Sequence, residues 1–170
     1  MKVQKLKEDI ETLKKYNILK TNRKKIDDIL KDIEKLTSEL YEKQNTYKKL
    51  IDTNYLIKDK LSNTEKDLNK YNKFTKLISY PKYKKIKDNY TELSSKVTEV
   101  LAIEEKSKLE IDLLEKKINT MYDSLSNICG FQFTKEYYNS FLEEFRDKQY
   151  YNINLVDLIN KKEIELSKYE

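Results

Sequence analysis

Apolar residues recur at alternating spacings of three and four along most of the chain. From Ile26 onward, seven consecutive heptads place apolar residues at eleven of the fourteen core positions, which are positions a and d of each heptad. A second run, starting at Tyr83, has apolar residues at twelve of fourteen core positions. Lys, Asp and Glu occupy many of the other positions. A repeat sustained over this length is typical of long helices that pack as a coiled coil.

The single proline separates the two runs, and the heptad register slips by one residue across it. Proline lacks a backbone donor and clashes with the preceding helical turn, at a cost of about 3 kcal/mol. We therefore expect a turn at Pro81 and two antiparallel arms, residues 26–78 and 83–128, each roughly 70 Å long. The predicted fold is all-α: a long antiparallel coiled-coil hairpin on a small helical base formed by both termini.

Antiparallel packing sets the a positions of one arm opposite the d positions of the other. One pairing satisfies this rule along the whole hairpin, and its layers include Ile78 with Tyr83, Leu61 with Val100, and Leu36 with Leu125.

In this pairing the polar interruptions of the two runs lie close together. Asn54 falls opposite Ser107, and Glu104 lies one turn away from Ser107 on the same arm. The Asn54 amide and the Ser107 hydroxyl could both donate hydrogen bonds to the Glu104 carboxylate. Asn54, Glu104 and Ser107 therefore form a predicted polar register layer, which fixes the register of the arm, acts as a flexible elbow in it, or is simply hydrated.

Three segments follow from these patterns: residues 1–22 as the N-terminal helix of the base, 23–130 as the hairpin arm, and 131–170 as an aromatic-rich helical segment of the base. The heptads before residue 16 are out of phase with the arm, so a kink or turn is expected between Tyr16 and Asn22. Eight aromatic residues crowd the C-terminal segment, and we expect them to form a small core: Phe131, Phe133, Tyr137, Tyr138, Phe141, Phe145, Tyr150 and Tyr151. The only glycine, Gly130, is expected to end the second arm helix.

Composition excludes most catalytic chemistry. The chain has no His, one Gly and one Cys, so the usual general base and the phosphate-cradling loops are absent, and no internal disulfide can form. We therefore expect no enzyme, no metal and no cofactor. The apolar runs are too short for a membrane span or a signal peptide, which predicts an intracellular (cytoplasmic) or intravirion protein that is not secreted. Only two of the 35 basic residues are Arg, a bias typical of AT-rich viral, phage or low-GC genomes.

The hairpin tip is the one local anomaly of charge. Residues 70–87 contain seven Lys and no acid, whereas the whole chain has a net charge of only +5. Three of these lysines open the second arm helix, where the helix dipole disfavours cations, so an anionic partner is a live hypothesis. The candidate contact residues at the tip are Lys76, Tyr80, Lys82, Tyr83, Lys84, Lys85 and Lys87.

Two functions remain open at this stage. The first is a non-enzymatic structural or assembly protein that docks onto copies of itself, as a homo-oligomer, or onto a larger complex. The alternative is a nucleic-acid-binding protein that uses the basic tip, because Lys-rich surfaces bind phosphate backbones.

Overall fold

The computed structural model describes residues 2–169. It contains five α-helices and one short 3₁₀ turn: α1 (Lys2–Asn69), α2 (Lys73–Ile78), α3 (Tyr80–Cys129), α4 (Lys135–Asp147), the 3₁₀ turn (Tyr150–Asn152) and α5 (Leu155–Leu166). No strand is present among the described residues. Within the same range, no helix is both long and apolar enough to cross a membrane.

The predicted fold class is confirmed: the protein is an all-α helical hairpin in which α1 packs against α3. The predicted heptad positions also match the buried side of each helix. Every core position from Ile26 to Tyr71 and from Tyr83 to Ile128 is buried or half-buried. Between residues 37 and 68 of α1, all other positions are exposed. The hydrophobic period thus identifies the inward side of both helices residue by residue.

The position of the turn differs from the prediction. Helix α1 ends at Asn69, and the short helix α2 follows before α3 begins at Tyr80. Pro81 lies within the first turn of α3, where a missing N–H costs nothing because that group has no partner inside the helix. The chain therefore turns within residues 70–79, and the first arm is not one helix up to Ile78.

The predicted pairing of the arms is wrong at the tip. Tyr83 was expected opposite Ile78, but its ring contacts Tyr71, with ring centroids 5.6 Å apart. Ile78 itself is exposed. The reason is the break after Asn69, because the heptad phase of α1 does not continue into α2. Tyr71 and Tyr83 are d and a positions, so their contact defines a pairing shifted by one heptad from the expected one.

The residues form two compact units. The arm is Thr37–Lys116, and the base comprises the described residues up to Leu36 and from Lys117 onward. The base contains the main apolar core, to which α1, α3, α4 and α5 all contribute. Its largest fully buried side chains are Tyr138, Phe141, Phe145, Leu19, Ile26, Leu125, Leu155 and Cys129.

The kink expected between Tyr16 and Asn22 is replaced by continuous helix. Ile10, Leu13, Tyr16 and Leu19 are all buried at successive spacings of three. Because three residues turn a helix by about 300°, this spacing moves the buried side around α1, and Ile10 and Leu19 point in opposite directions. Helix α1 is therefore covered on more than one side in the base, which explains the change of phase without a break.

The aromatic C-terminal segment forms core, as expected. Phe133, Tyr138, Phe141 and Phe145 are buried, and the ring of Phe141 lies 5.2 Å from that of Tyr16 on α1. Tyr151 is the exception, because it remains exposed. Edge-to-face and tilted ring contacts of this kind add to the free energy gained from burial alone.

Local end signals hold the helices of the base in place. Thr134 caps α4 by accepting a hydrogen bond from the Tyr137 amide, and Asn154 caps α5 by accepting from the Val156 amide. Gly130 follows α3 with φ +70°, the left-handed conformation expected at the end of a helix. Gly130 thus confirms the predicted end of the second arm helix, while Thr134 and Asn154 set where α4 and α5 begin.

Candidate partner-binding surfaces of the arm

The hairpin tip is a well-defined platform. The side chain of Asn72 accepts hydrogen bonds from the amides of Phe74 and Thr75, and the Thr75 hydroxyl accepts from the Asn72 amide in return. This reciprocal capping box starts α2. The contact between the Tyr71 and Tyr83 rings lies at the foot of the tip. The short helix is therefore held at both ends.

The predicted contact residues of the tip divide into two groups. Lys76 lies over the Tyr83 ring, 5.0 Å from its centroid, and Tyr83 is half-buried, so these two side chains are used in packing. The other predicted residues are exposed, which leaves them available to a partner: Tyr80, Lys82, Lys84, Lys85 and Lys87.

The structure adds an apolar component that the sequence pattern concealed. Among the residues with large apolar side chains, the exposed fractions at the tip reach 70% for Phe74, 80% for Leu77 and 68% for Ile78. Phe74, Leu77 and Ile78 are spaced by three and four residues, so they share one side of α2. The tip therefore presents an apolar ridge surrounded by lysines. The capping signal of Asn72 and Thr75 could have revealed the new helix, and with it the exposure of Ile78.

The middle of the arm contains a polar interior. Asn54 is only 3% exposed, and its Nδ2 donates a 2.8 Å hydrogen bond to Oε2 of Glu104. The Oδ1 atom of Asn54 is buried and accepts no hydrogen bond from the described residues. Among those residues, no hydrogen bond joins the half-buried Ser107 to this pair. Two of the three residues of the predicted polar layer are thus in contact, while the role of the layer in fixing the register stays a prediction.

A second polar contact lies near this layer. Lys43 is half-buried at a d position and forms a 2.7 Å ion pair with Glu110 of α3. The pair holds the pKa of Glu110 below its usual value and raises that of Lys43, chiefly through the hydrogen bond. Because both groups are partly exposed, solvent screens such a pair and it contributes little to stability.

The outer surface of the same region carries several exposed apolar side chains among its charged residues. Of the exposed large apolar side chains of the arm outside the tip, several belong to the e and b positions, and we call this set the arm patch: Tyr41, Ile51, Tyr55 and Leu101. Gln44 and Glu115 show that e positions of both helices share one side of the hairpin, because they are e residues joined by a 3.2 Å hydrogen bond. Leu56 and Leu113, both at c positions, lie on the opposite side and are also exposed.

The Tyr71–Tyr83 contact places three members of the arm patch, Ile51, Tyr55 and Leu101, at one level of the hairpin. Tyr71 follows the end of α1 by two residues, and Tyr83 lies near the start of α3. Counting eighteen residues back from Tyr71 and eighteen forward from Tyr83 gives Thr53 on α1 and Leu101 on α3. Leu101 is therefore level with the interval between Ile51 and Tyr55. At this level Asn54 and Glu104 form a polar contact inside the arm, while Ile51, Tyr55 and Leu101 are exposed on the outside.

The base offers shallow clefts lined by paired charges. One cleft, of about 270 Å³, lies between α1, α4 and α5 and is lined by Asp9, Tyr16, Glu144 and Lys162 among others. Asp9 is bonded to Lys162 at 2.9 Å, which lowers the pKa of the carboxyl group. Among the described residues, no group of three or more His, Cys, Asp or Glu could hold a metal ion.

Comparisons with protein-family models, with curated proteins and with solved structures find no match for this chain.

Proposed function

We propose that this chain is a non-enzymatic assembly protein whose arm pairs with a second copy of itself through the arm patch. The observation that supports this role is the distribution of side chains around Asn54. A buried polar contact joins α1 to α3 there, while Ile51, Tyr55 and Leu101 face solvent at the same level. Contiguous exposed apolar side chains on a helix pair are typical of a surface that packs against further helices.

The geometry favours a two-fold axis that runs along the arm. Such an axis lays α1 of one copy on α3 of the other, and every level of one arm meets the same level of its partner. Leu101 of each copy then lies between Ile51 and Tyr55 of the other, and the result is a four-helix arrangement in which neighbouring helices are antiparallel. We propose coiled-coil packing for these four helices because the core positions already follow the heptad repeat.

The charges on the two helices suit this arrangement. Residues 44–62 of α1 contain four Lys and two Asp, a net charge of +2. Residues 92–110 of α3, at the same level, contain five acids and three Lys, a net charge of −2. Lys48 and Glu105 are exposed b residues at nearly the same level, so the arrangement brings each Lys48 close to Glu105 of the other copy. Opposite charges on facing helices favour this pairing over one that places α1 on α1.

The experiment is a measurement of molar mass in solution by light scattering, for the full chain at several concentrations. We expect a dimer for the wild type and a monomer for the double variant Tyr55→Glu and Leu101→Glu, because four buried carboxylates would face each other in the pair. Glutamate is a good helix former, so the fold should persist, which circular dichroism would verify.

The matched control is the double variant Leu56→Glu and Leu113→Glu, which makes the same kind of change on the opposite side of the arm. It should remain a dimer. A monomeric wild type at all concentrations would exclude the proposal, and so would an equal loss of the dimer in both variants.

We also expect this protein to act inside a cell or virion. Its single cysteine, Cys129, is buried and free, and burial raises the pKa of the thiol. A buried thiol that is not needed for cross-linking suits a reducing environment.

A further inference from the structure

We propose that the hairpin tip docks onto the surface of a membrane that contains anionic lipids. The two observations behind this inference are the charge of residues 70–87 and the apolar ridge of α2. The segment has seven Lys and no acid, and Phe74, Leu77 and Ile78 are among its most exposed side chains. The inference does not depend on pairing of the arms.

The ridge and the lysines have the arrangement that a lipid interface requires. Phe74, Leu77 and Ile78 share one side of α2, and Tyr80, which is also exposed, has the amphipathic ring that is favoured at the headgroup level. Lys82, Lys84, Lys85 and Lys87 are exposed at the start of α3. An amphipathic element of this kind inserts its apolar side to the depth of the headgroups, while its lysines are attracted by the negative surface potential.

The placement of the charges supports an anionic partner. The beginning of α3 carries the positive end of the helix dipole, so Lys82, Lys84 and Lys85 destabilise the helix locally. An anionic surface in contact with the tip would remove this cost. Binding to an anionic surface is therefore favoured, because it relieves an unfavourable interaction that is present in the free protein.

Nucleic acid fits the same surface less well. Phosphate backbones bind lysines through counterion release, and exposed bases stack on aromatic rings. Of the two tip tyrosines considered for stacking, Tyr83 is already in contact with Tyr71 and Lys76, and Tyr80 is exposed. Leu77 and Ile78 are the exposed centre of the tip and have no counterpart on a phosphate backbone. A lipid bilayer uses both the apolar ridge and the charge.

The test is co-sedimentation of the full chain with vesicles of phosphatidylcholine alone or mixed with an equal part of phosphatidylserine. We expect binding to the anionic vesicles only, and weaker binding at higher salt. Two triple variants separate the contributions. Phe74→Ser, Leu77→Ser and Ile78→Ser removes the ridge and keeps the charge, whereas Lys82→Glu, Lys84→Glu and Lys85→Glu reverses the charge and keeps the ridge. Each should weaken binding by at least about tenfold.

The matched control is the triple variant Leu56→Ser, Leu109→Ser and Leu113→Ser, which removes three leucines, each about 60% exposed or more, from the arm outside the tip. Its affinity for vesicles should equal that of the wild type. Insertion can be observed directly with Phe74→Trp, because the chain has no other tryptophan. Its fluorescence should shift to the blue on anionic vesicles and be quenched by brominated lipid chains.

Three results would overturn the inference. The first is no binding of the wild type to anionic vesicles at low salt, including the case in which it binds only DNA, RNA or an acidic protein. The second is undiminished binding of the variant that lacks the apolar ridge, which would show purely electrostatic adsorption. The third is a tryptophan at position 74 that stays fully exposed to water on the vesicles.

Discussion

Asn54 on α1 and Glu104 on α3 are joined by a 2.8 Å hydrogen bond inside the arm. The bond satisfies only one half of the Asn54 amide, because the buried Oδ1 atom accepts nothing from the described residues. The contact thus connects the two helices of the hairpin while leaving an acceptor unpaired. A buried acceptor in this state costs about 1–3 kcal/mol.

The Asn54–Glu104 contact predicts that replacing one partner lowers the free energy of unfolding, whereas replacing both raises it. Glu104→Leu alone should lower the free energy of unfolding by about 1–3 kcal/mol, since the buried amide then loses its only bonded partner. Adding Asn54→Leu should raise stability above that of the wild type by about 1–3 kcal/mol, because apolar side chains replace a partly satisfied polar pair. Replacing Ser107 by Leu as well should raise it further. Urea unfolding measures these changes.

The control for this series is Glu99→Leu, at an exposed position of the same helix. It should alter the free energy of unfolding by less than about 0.5 kcal/mol. If Glu104→Leu were as mild as this control, the polar layer would be hydrated and without influence on stability.

The contact between Tyr71 and Tyr83 predicts which core residues can be cross-linked. Leu61 lies ten residues before Tyr71, and Leu93 lies ten residues after Tyr83, so the two leucines should face each other. The double variant Leu61→Cys and Leu93→Cys, in a Cys129→Ala background, should therefore form a disulfide within one chain. Leu61→Cys with Val100→Cys should not, because Val100 lies about 10 Å further along α3. Non-reducing electrophoresis and peptide mapping distinguish the two. Efficient cross-linking of the Val100 variant would restore the pairing expected from the sequence.

The comparison of sequence and structure separates what periodicity determines from what it does not. Core positions such as Leu61 and Val97 were predictable because burial in a long helix pair depends only on a period that the sequence displays. The structure of the tip was not predictable in this way. The apolar period continues in the sequence as far as Ile78, but the capping box of Asn72 and Thr75 starts a new helix before it. Local hydrogen bonding there outweighs the repeat.

The base and the partner surfaces show further limits of the sequence. The change of phase before residue 16 suggested a break, but α4 and α5 cover additional sides of α1, which a single-helix pattern cannot reveal. The aromatic core was predictable from density of rings alone. The exposed side chains of the arm patch, such as Tyr55 and Leu101, carry no signal in a heptad count that considers only a and d positions.

Replacing Gly130 is expected to cost stability through the backbone conformation alone. Its φ is +70°, and a Cβ built there meets nothing within 4 Å. Gly130→Ala should therefore destabilise the protein by about 1 kcal/mol, through the unfavourable left-handed conformation and without a clash. Gly130→Asn should cost less, because Asn tolerates this conformation better. Equal losses for both in urea unfolding would contradict the assignment.

Two buried tyrosines predict loss of stability at alkaline pH. Burial raises the pKa of Tyr138. The Tyr138 hydroxyl also donates a 2.6 Å hydrogen bond to the Asp27 carboxylate, which raises this pKa further. Burial also raises the pKa of Tyr16, with a further contribution from Glu144. The folded protein therefore holds these protons more tightly than the unfolded chain does. Their contribution to stability is complete below the unfolded pKa, near 10, and is lost as the pH rises from there toward the folded pKa values.

The free energy of unfolding should accordingly fall steeply above about pH 10 in the wild type and less steeply in the variant Tyr16→Phe and Tyr138→Phe. The slope of the unfolding free energy with pH reflects how many more protons the folded state binds than the unfolded state. Each Tyr→Phe substitution removes one such proton, so the single variants should show intermediate slopes. Urea unfolding at several alkaline pH values measures this. At neutral pH, Tyr138→Phe should cost about 1 kcal/mol, because the hydrogen bond to Asp27 is lost while that carboxylate remains half exposed. Slopes identical to the wild type in all three variants would place the alkaline transition in other groups.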